Sequence, residues 1–226
     1  MYKQTSLILS VILLSGLFTS VPSHVQAQVL VAQKRSPELK ELLEEGRKLV
    51  DARDYDGAIS VYQRAASIEP KNPRIHSAIG YLQAQKGNFR AALDAYRKAI
   101  ALNPNNGDFF YAVAFIHGNL GDMKSSKEAY RKSIQLNRTN VNAYIGLGVT
   151  QSRLGDSEAA MWAYEQAINI DRSNPLPYEM IGAIFKQKGK RTEANKLLKK
   201  SRDLYERRQD WDGVARTEGL LKDIQG

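Results

Sequence analysis

Few residues in this 226-residue chain have the type and spacing to do chemistry. The histidines are His24, His76 and His117, and cysteine is absent. A metal site needs several imidazole, thiolate or carboxylate donors converging on one point. His76 and His117 have neither cysteine nor a carboxylate cluster beside them, so the sequence predicts no metal site and no cofactor. Gly146-Leu147-Gly148 has the look of a phosphate-binding glycine pair, but such a pair follows a strand and opens a helix. Here it lies within a helical pattern. Asp122, Asp156 and Glu158 are spaced as turn and helix-start residues. No nucleophile stands in a recognisable setting with a base to activate it. These patterns predict no catalytic residue and a protein that is not an enzyme.

The remaining chemistry is charge. The formal net charge is +9, and Lys186 to Arg208 alone holds ten basic and three acidic residues. Its densest part is Lys186, Lys188, Lys190, Arg191, Lys196, Lys199 and Lys200. Such a patch suits nucleic acid, anionic lipid or an acidic protein. No aromatic platform is interleaved with the lysines, which argues against nucleic acid. Two readings stay open: a solvated helix face, or a docking patch for an anionic membrane surface or acidic partner.

The elements that position these residues repeat. In the stretch from Pro73 to Asn106 the landmarks are Gly80, Gly87, Ala92, Tyr96, Ala99 and Pro104. Shifts of 34 residues reproduce them as Ala114, Gly121, Ser126, Tyr130 and Ser133, then as Gly148, Gly155, Ala160, Tyr164 and Ala167. Backwards they give Gly46, Ala58, Tyr62, Ala65 and Pro70; forwards again, Gly182, Gly189, Ala194 and Leu198. Within one copy, Ile75, Ile79 and Leu82 recur at helical spacing, as do Leu93, Tyr96 and Ile100. Lys86-Gly87-Asn88 ends one helix, and Pro104 with its flanking asparagines ends the next. Each copy is a helix, a tight turn and a second helix. The third copy departs most, with Ala114 for glycine, two serines for alanines, and Phe109 and Phe110 as added bulk in its first helix.

This length and form resemble the tetratricopeptide repeat. The resemblance implies an all-α, right-handed α-solenoid of five helix–turn–helix units: 39–72, 73–106, 107–140, 141–174 and 175–208. Residues 209–226 are expected to form a capping helix, with Trp211, Val214, Leu221 and Ile224 covering the last pair's apolar flank. The resemblance also implies that first helices line a concave face where protein or peptide clients lie. By position, that groove takes Arg74, Ser77, Tyr81, Ala84 and Gln85 in the second copy, then Asp108, Tyr111, Phe115, Gly118 and Asn119. The fourth copy contributes Asn142, Ile145, Val149, Ser152 and Arg153, and the fifth Glu179, Ala183, Lys186 and Gln187 with Met180 beside them. Its expected centre is Tyr81, Tyr111, Phe115, Ile145 and Val149, ending at Asn119 and Arg153. The residues that clamp a terminal carboxylate in chaperone-binding members are missing from the matching positions. An exposed apolar strip suits an apolar helix face or an extended peptide. The competing reading packs Tyr111 and Phe115 as ordinary core.

Leu7 to Val21 is an apolar run behind Lys3, followed by Pro22 and the small-residue end Val25-Gln26-Ala27. That is the layout of a secretory signal, 1–27, with cleavage after Ala27. An uncleaved anchor is the alternative, though a span usually needs about 20 apolar residues. Residues 28–38 read as a polar lead-in, with Ser36-Pro37-Glu38 opening the first helix. The sequence thus predicts an exported, non-enzymatic adaptor in the periplasm or an equivalent lumen, or outside the cell, or membrane-tethered if uncleaved. Small exported arrays of the resembled family serve in pilus biogenesis, outer-membrane assembly and photosystem assembly. A self-associating structural module is the second class. Export makes nucleic acid an unsuitable partner.

Overall fold

The asparagines and aspartates recurring at the repeat period become helix caps. Asn72, Asn106, Asn140 and Asn174 each accept from a backbone N–H two or three residues on, at 2.9–3.1 Å. Asp54, Asp122 and Asp156 do the same for second helices, at 3.0 Å. Such caps satisfy N–H groups that a helix start leaves unpaired. Asn106 therefore opens a helix, whereas the sequence reading took it as part of the preceding stop.

The computed structural model describes residues 23–225, with side chains from 37 to 224. Eleven helices, and no strand, occur among the described residues. They are α1 (Ser23–Asp51), α2 (Tyr55–Ile68), α3 (Pro73–Gln85), α4 (Phe89–Leu102), α5 (Gly107–Asn119), α6 (Met123–Leu136), α7 (Val141–Arg153), α8 (Ser157–Ile170), α9 (Pro175–Gln187), α10 (Arg191–Arg207) and α11 (Trp211–Gln225). Consecutive helices pair, α1 with α2 through α9 with α10, and α11 packs on α9 and α10. First helices of neighbouring pairs also touch, α3 with α5 and α5 with α7; second helices make no comparable contact among the described residues. First helices therefore form the inner wall and second helices the splayed outer wall of a right-handed solenoid.

The turn between paired helices needs a residue in the left-handed region. Gly87, Gly121, Gly155 and Gly189 supply it, with φ from 71° to 82°. In the first pair this position is Arg53, at φ 59°.

Within pairs, a tyrosine ring lies flat on the facing glycine. A Cβ on Gly80 would come within 2.7 Å of the Tyr96 ring, and one on Gly46 within 2.8 Å of Tyr62. Tyr164 meets Gly148 in the same way. The small residues beneath, Ala92, Ala99, Ala160 and Ala167, are fully buried. Close packing of this kind leaves no room for an added methyl group.

Two expectations are corrected. α1 does not open at Pro37: it begins at Ser23 and carries Pro37 inside it. The residues from Gln26 to Arg35 are mostly good helix formers without glycine, and one proline costs about 3 kcal/mol, too little to stop the helix. The expected cleavage point after Ala27 lies within α1, and the apolar run from Leu7 to Val21 lies outside the described residues. Trp211 is the second correction. It is 63% exposed, while Val214, Leu221 and Ile224 are buried with Thr217. At 100° per residue Trp211 points well away from the centre of that buried face.

Candidate functional site

Between α5 and α7 the inner wall opens into a hollow of about 380 Å³. Of the residues expected in the groove, Tyr111, Phe115, Gly118, Asn119, Asn142, Ile145, Val149 and Arg153 line it. Tyr81 and Met180 do not; Tyr81 stands 49% exposed on α3, and Met180 packs partly buried against the α7–α9 core. Phe115 is 50% exposed. Tyr111 is partly buried, its ring edge-on to Tyr130 at 5.9 Å. Ile145 is buried and belongs to the core as much as to the lining.

Positional reasoning missed Tyr130, Gly146, Ser126 and Thr150, which also line the hollow. Ala114 stands where glycine meets the tyrosine ring in other pairs, and it shares a core cluster with Tyr130. The tip of the Tyr130 ring reaches Gly146 of the next pair, so closely that a Cβ on Gly146 would overlap it. Matching positions elsewhere hold Ala78, Ala112 and Met180. The glycine that resembled part of a phosphate loop is a seat for this ring. Two departures one unit apart, Ala114 and Gly146, were the available signal.

Several polar groups of the hollow bind the protein itself. Ser126 and Thr150 share a hydrogen bond of 3.1 Å, and the Thr150 hydroxyl is 2.8 Å from the Gly146 carbonyl oxygen. Asn119 donates from Nδ2 to the Phe115 carbonyl at 2.9 Å, and Arg153 from Nη1 to the Gly118 carbonyl at 3.4 Å. Both groups at the polar end are thus held by carbonyls of the last turns of α5. Burial, reinforced by Tyr111 and opposed by Arg153, raises the Tyr130 pKa. Burial likewise pushes Tyr96 up to about 12. These phenols stay neutral, so the hollow presents aromatic surface rather than an anion.

The inner wall closes at α9. Glu179, placed in the groove by position, is 1% exposed. Its carboxylate accepts two hydrogen bonds from Arg216 of α11, at 2.6 and 2.9 Å, and one from the Tyr205 hydroxyl at 2.8 Å. α11 occupies the place a further first helix would take, so this part of the groove is filled. Lys186 is drawn into the same closure by an ion pair with Asp223. The other basic-patch residues, Lys188, Lys190, Arg191, Lys196, Lys199 and Lys200, are exposed on the α9–α10 turn and outer face of α10. Lys190 also lies 5.6 Å from the centre of the Phe185 ring.

His76 is hydrogen-bonded to the Pro70 carbonyl at 2.8 Å, and His117 lies 3.4 Å from Asp122. Among the described residues no three histidine, cysteine or carboxylate side chains converge as metal ligands.

Family models described as tetratricopeptide repeat match residues 43–107, 107–140 and 129–161, more than half of the chain together. The chain belongs to the tetratricopeptide-repeat family, whose members are in general protein-interaction scaffolds rather than catalysts. A TPR repeat-containing protein of Picosynechococcus sp. is 40% identical over 53 residues, covering 24% of this chain and 14% of that relative's length. Among solved structures, MamA is similar over 73% of this chain and 96% of its own, at 26% identity and a TM-score of 0.69. YrrB, described as a TPR protein with an unusual peptide-binding site, is 18% identical over 77% of this chain and 88% of its own, with a TM-score of 0.63. PilF of Pseudomonas aeruginosa is 14% identical over 84% and 93%, with a TM-score of 0.67. The last two likenesses concern the fold alone.

Proposed function

We propose that this protein is an exported, non-catalytic adaptor that holds an apolar client segment in the hollow between α5 and α7, and so aids assembly of an envelope or membrane complex. The observation that carries this reading is Phe115, half exposed beside Tyr111 and Tyr130 on the inner wall. Exposed aromatics in a concave setting are the residues most often responsible for binding energy. Ser126, Thr150 and the Asn119 amide are already engaged within the fold, so apolar contact and shape lead recognition, with Asn142 and Arg153 in the lining to add polar contacts. An amphipathic helix or extended strand with two or three apolar side chains has the matching chemistry. YrrB's described peptide-binding site lends the reading support by analogy. Export rests on the apolar run Leu7 to Val21, and N-terminal sequencing of native protein tests it: a start at Met1 or Tyr2 refutes cleavage after Ala27.

The groove is tested by placing a photo-crosslinking residue at Asn119 and identifying captured clients in native cells. The pair Tyr111→Ala and Phe115→Ala is expected to abolish capture while helicity survives. Undiminished capture of the same clients would refute the groove. A self-associating module is the second reading. It requires a stable oligomer without any client, which light scattering across concentration detects.

A further inference from the structure

In the second and third pairs one acid of the outer helix pairs with an arginine three residues on, Arg97 with Asp94 at 2.7 Å and Arg131 with Glu128 at 3.2 Å. One and two periods after Glu128, the acid's place is taken by Trp162 on α8 and Lys196 on α10. Lys199 keeps the position of Arg97 and Arg131, so α10 carries two cations where its predecessors carry an acid–base pair. Lys200, four residues from Lys196 and matching Lys98 and Lys132 of the earlier helices, is exposed as well. Like charges at these spacings repel and cost the helix stability. Lys188, Lys190 and Arg191 extend the field around the start of α10. Of these six cations, none enters an ion pair among the described residues. Trp162, at the equivalent position on the neighbouring outer helix, is 52% exposed.

We infer that the cations of α10 and of the α9–α10 turn form a docking surface for an anionic lipid bilayer. Two features select a bilayer over an acidic protein. The cations are five lysines and one arginine, and lysine is depleted at protein interfaces while arginine is favoured. They stand on a convex wall, outside the hollows of the molecule, which suits a broad planar partner. Clusters of four to eight lysines and arginines are a recognised anionic-lipid signature.

The surface lies apart from the inner wall, so it stands or falls independently of the client groove. The test is co-sedimentation of the full chain with vesicles of equimolar phosphatidylcholine and phosphatidylglycerol, against phosphatidylcholine alone. Binding is expected only to the anionic vesicles, and is expected to vanish at 1 M salt, where the screening length falls to about 3 Å. Lys196→Glu, Lys199→Glu and Lys200→Glu together should weaken it on the order of a hundredfold, since each basic residue near the surface contributes severalfold. Tyr111→Ala with Phe115→Ala should leave vesicle binding unchanged. No binding to anionic vesicles at low salt overturns the inference. So does binding indifferent to the three substitutions or equal on neutral vesicles, which would point to the N-terminal apolar run. Retention of an acidic polypeptide through these lysines, with anionic vesicles ignored, would assign the surface to a protein instead.

Discussion

The interval between α5 and α7 and the interval between α9 and α11 share one device and put it to opposite use. In each, a tyrosine from a second helix is seated on a glycine of the helix that follows: Tyr130 on Gly146, and Tyr205 on Gly213. Each ring ties one unit to the next. The difference lies at the fifth position of the preceding first helix. Tyr111 there leaves a hollow walled by aromatics. Glu179, two periods on, fills the equivalent place with a carboxylate held by Arg216 and Tyr205.

The sealed interval offers the largest effect. Replacing Arg216 with methionine keeps most of the side chain's bulk but leaves Glu179 buried without its cation. Breaking a buried pair from one side costs about 3–5 kcal/mol. Arg216 is half exposed, so water can enter, and a loss of about 2–4 kcal/mol in urea unfolding is expected. Hydrogen exchange should show the loss concentrated in α11. An unchanged midpoint would mean that the cap is held by Val214, Leu221 and Ile224 alone.

The open interval is tested by adding one methyl group. Gly146→Ala forces the Tyr130 ring out of its seat, and overpacking of this kind costs about 1–3 kcal/mol. Gly219→Ala is the control, since a Cβ there meets nothing within 4 Å. It should stabilise the helix by about 0.5–1 kcal/mol. The decisive variant joins Gly146→Ala with Ala114→Gly. If Ala114 displaced the ring, restoring glycine lets Tyr130 return to its own pair, and the double variant recovers part of the loss. Additive losses would show that Tyr130 does not depend on residue 114.

How far these features were legible differs between the two intervals. Helix pairs and turn glycines follow from the repeat period, but the sequence reading set Tyr96 between neighbouring pairs, whereas its ring lies on Gly80 of its own pair. The wall residues Tyr111, Phe115 and Val149 were reached by the same counting. Counting fails where a ring of one copy reaches into its neighbour, as with Tyr130 and Gly146. It also fails at the end of the array, where α11 lies outside the period and buries a residue that the register places in the open. Trp211 was misjudged because its spacing to Val214 fits one helical face only loosely. Pro37 was misread because the helix formers before it outweigh one broken hydrogen bond.

The smallest effect separates the intervals most finely. Ser133 and Ser201 stand two periods apart, each where other pairs have alanine, and both are fully buried. In the sealed interval the Ser201 hydroxyl donates to the Pro175 carbonyl at 2.9 Å. In the open one, Ser133 Oγ has no partner among the described residues. A buried hydroxyl that has lost water without gaining a hydrogen bond is a net cost, whereas a satisfied one contributes about 1 kcal/mol. Ser133→Ala is therefore expected to raise stability by about 1 kcal/mol, and Ser201→Ala to lower it by about as much. The same substitution at equivalent positions should move the urea midpoint in opposite directions. Parallel shifts would show that Ser133 finds a partner in solution, most simply a water entering from the hollow beside α5.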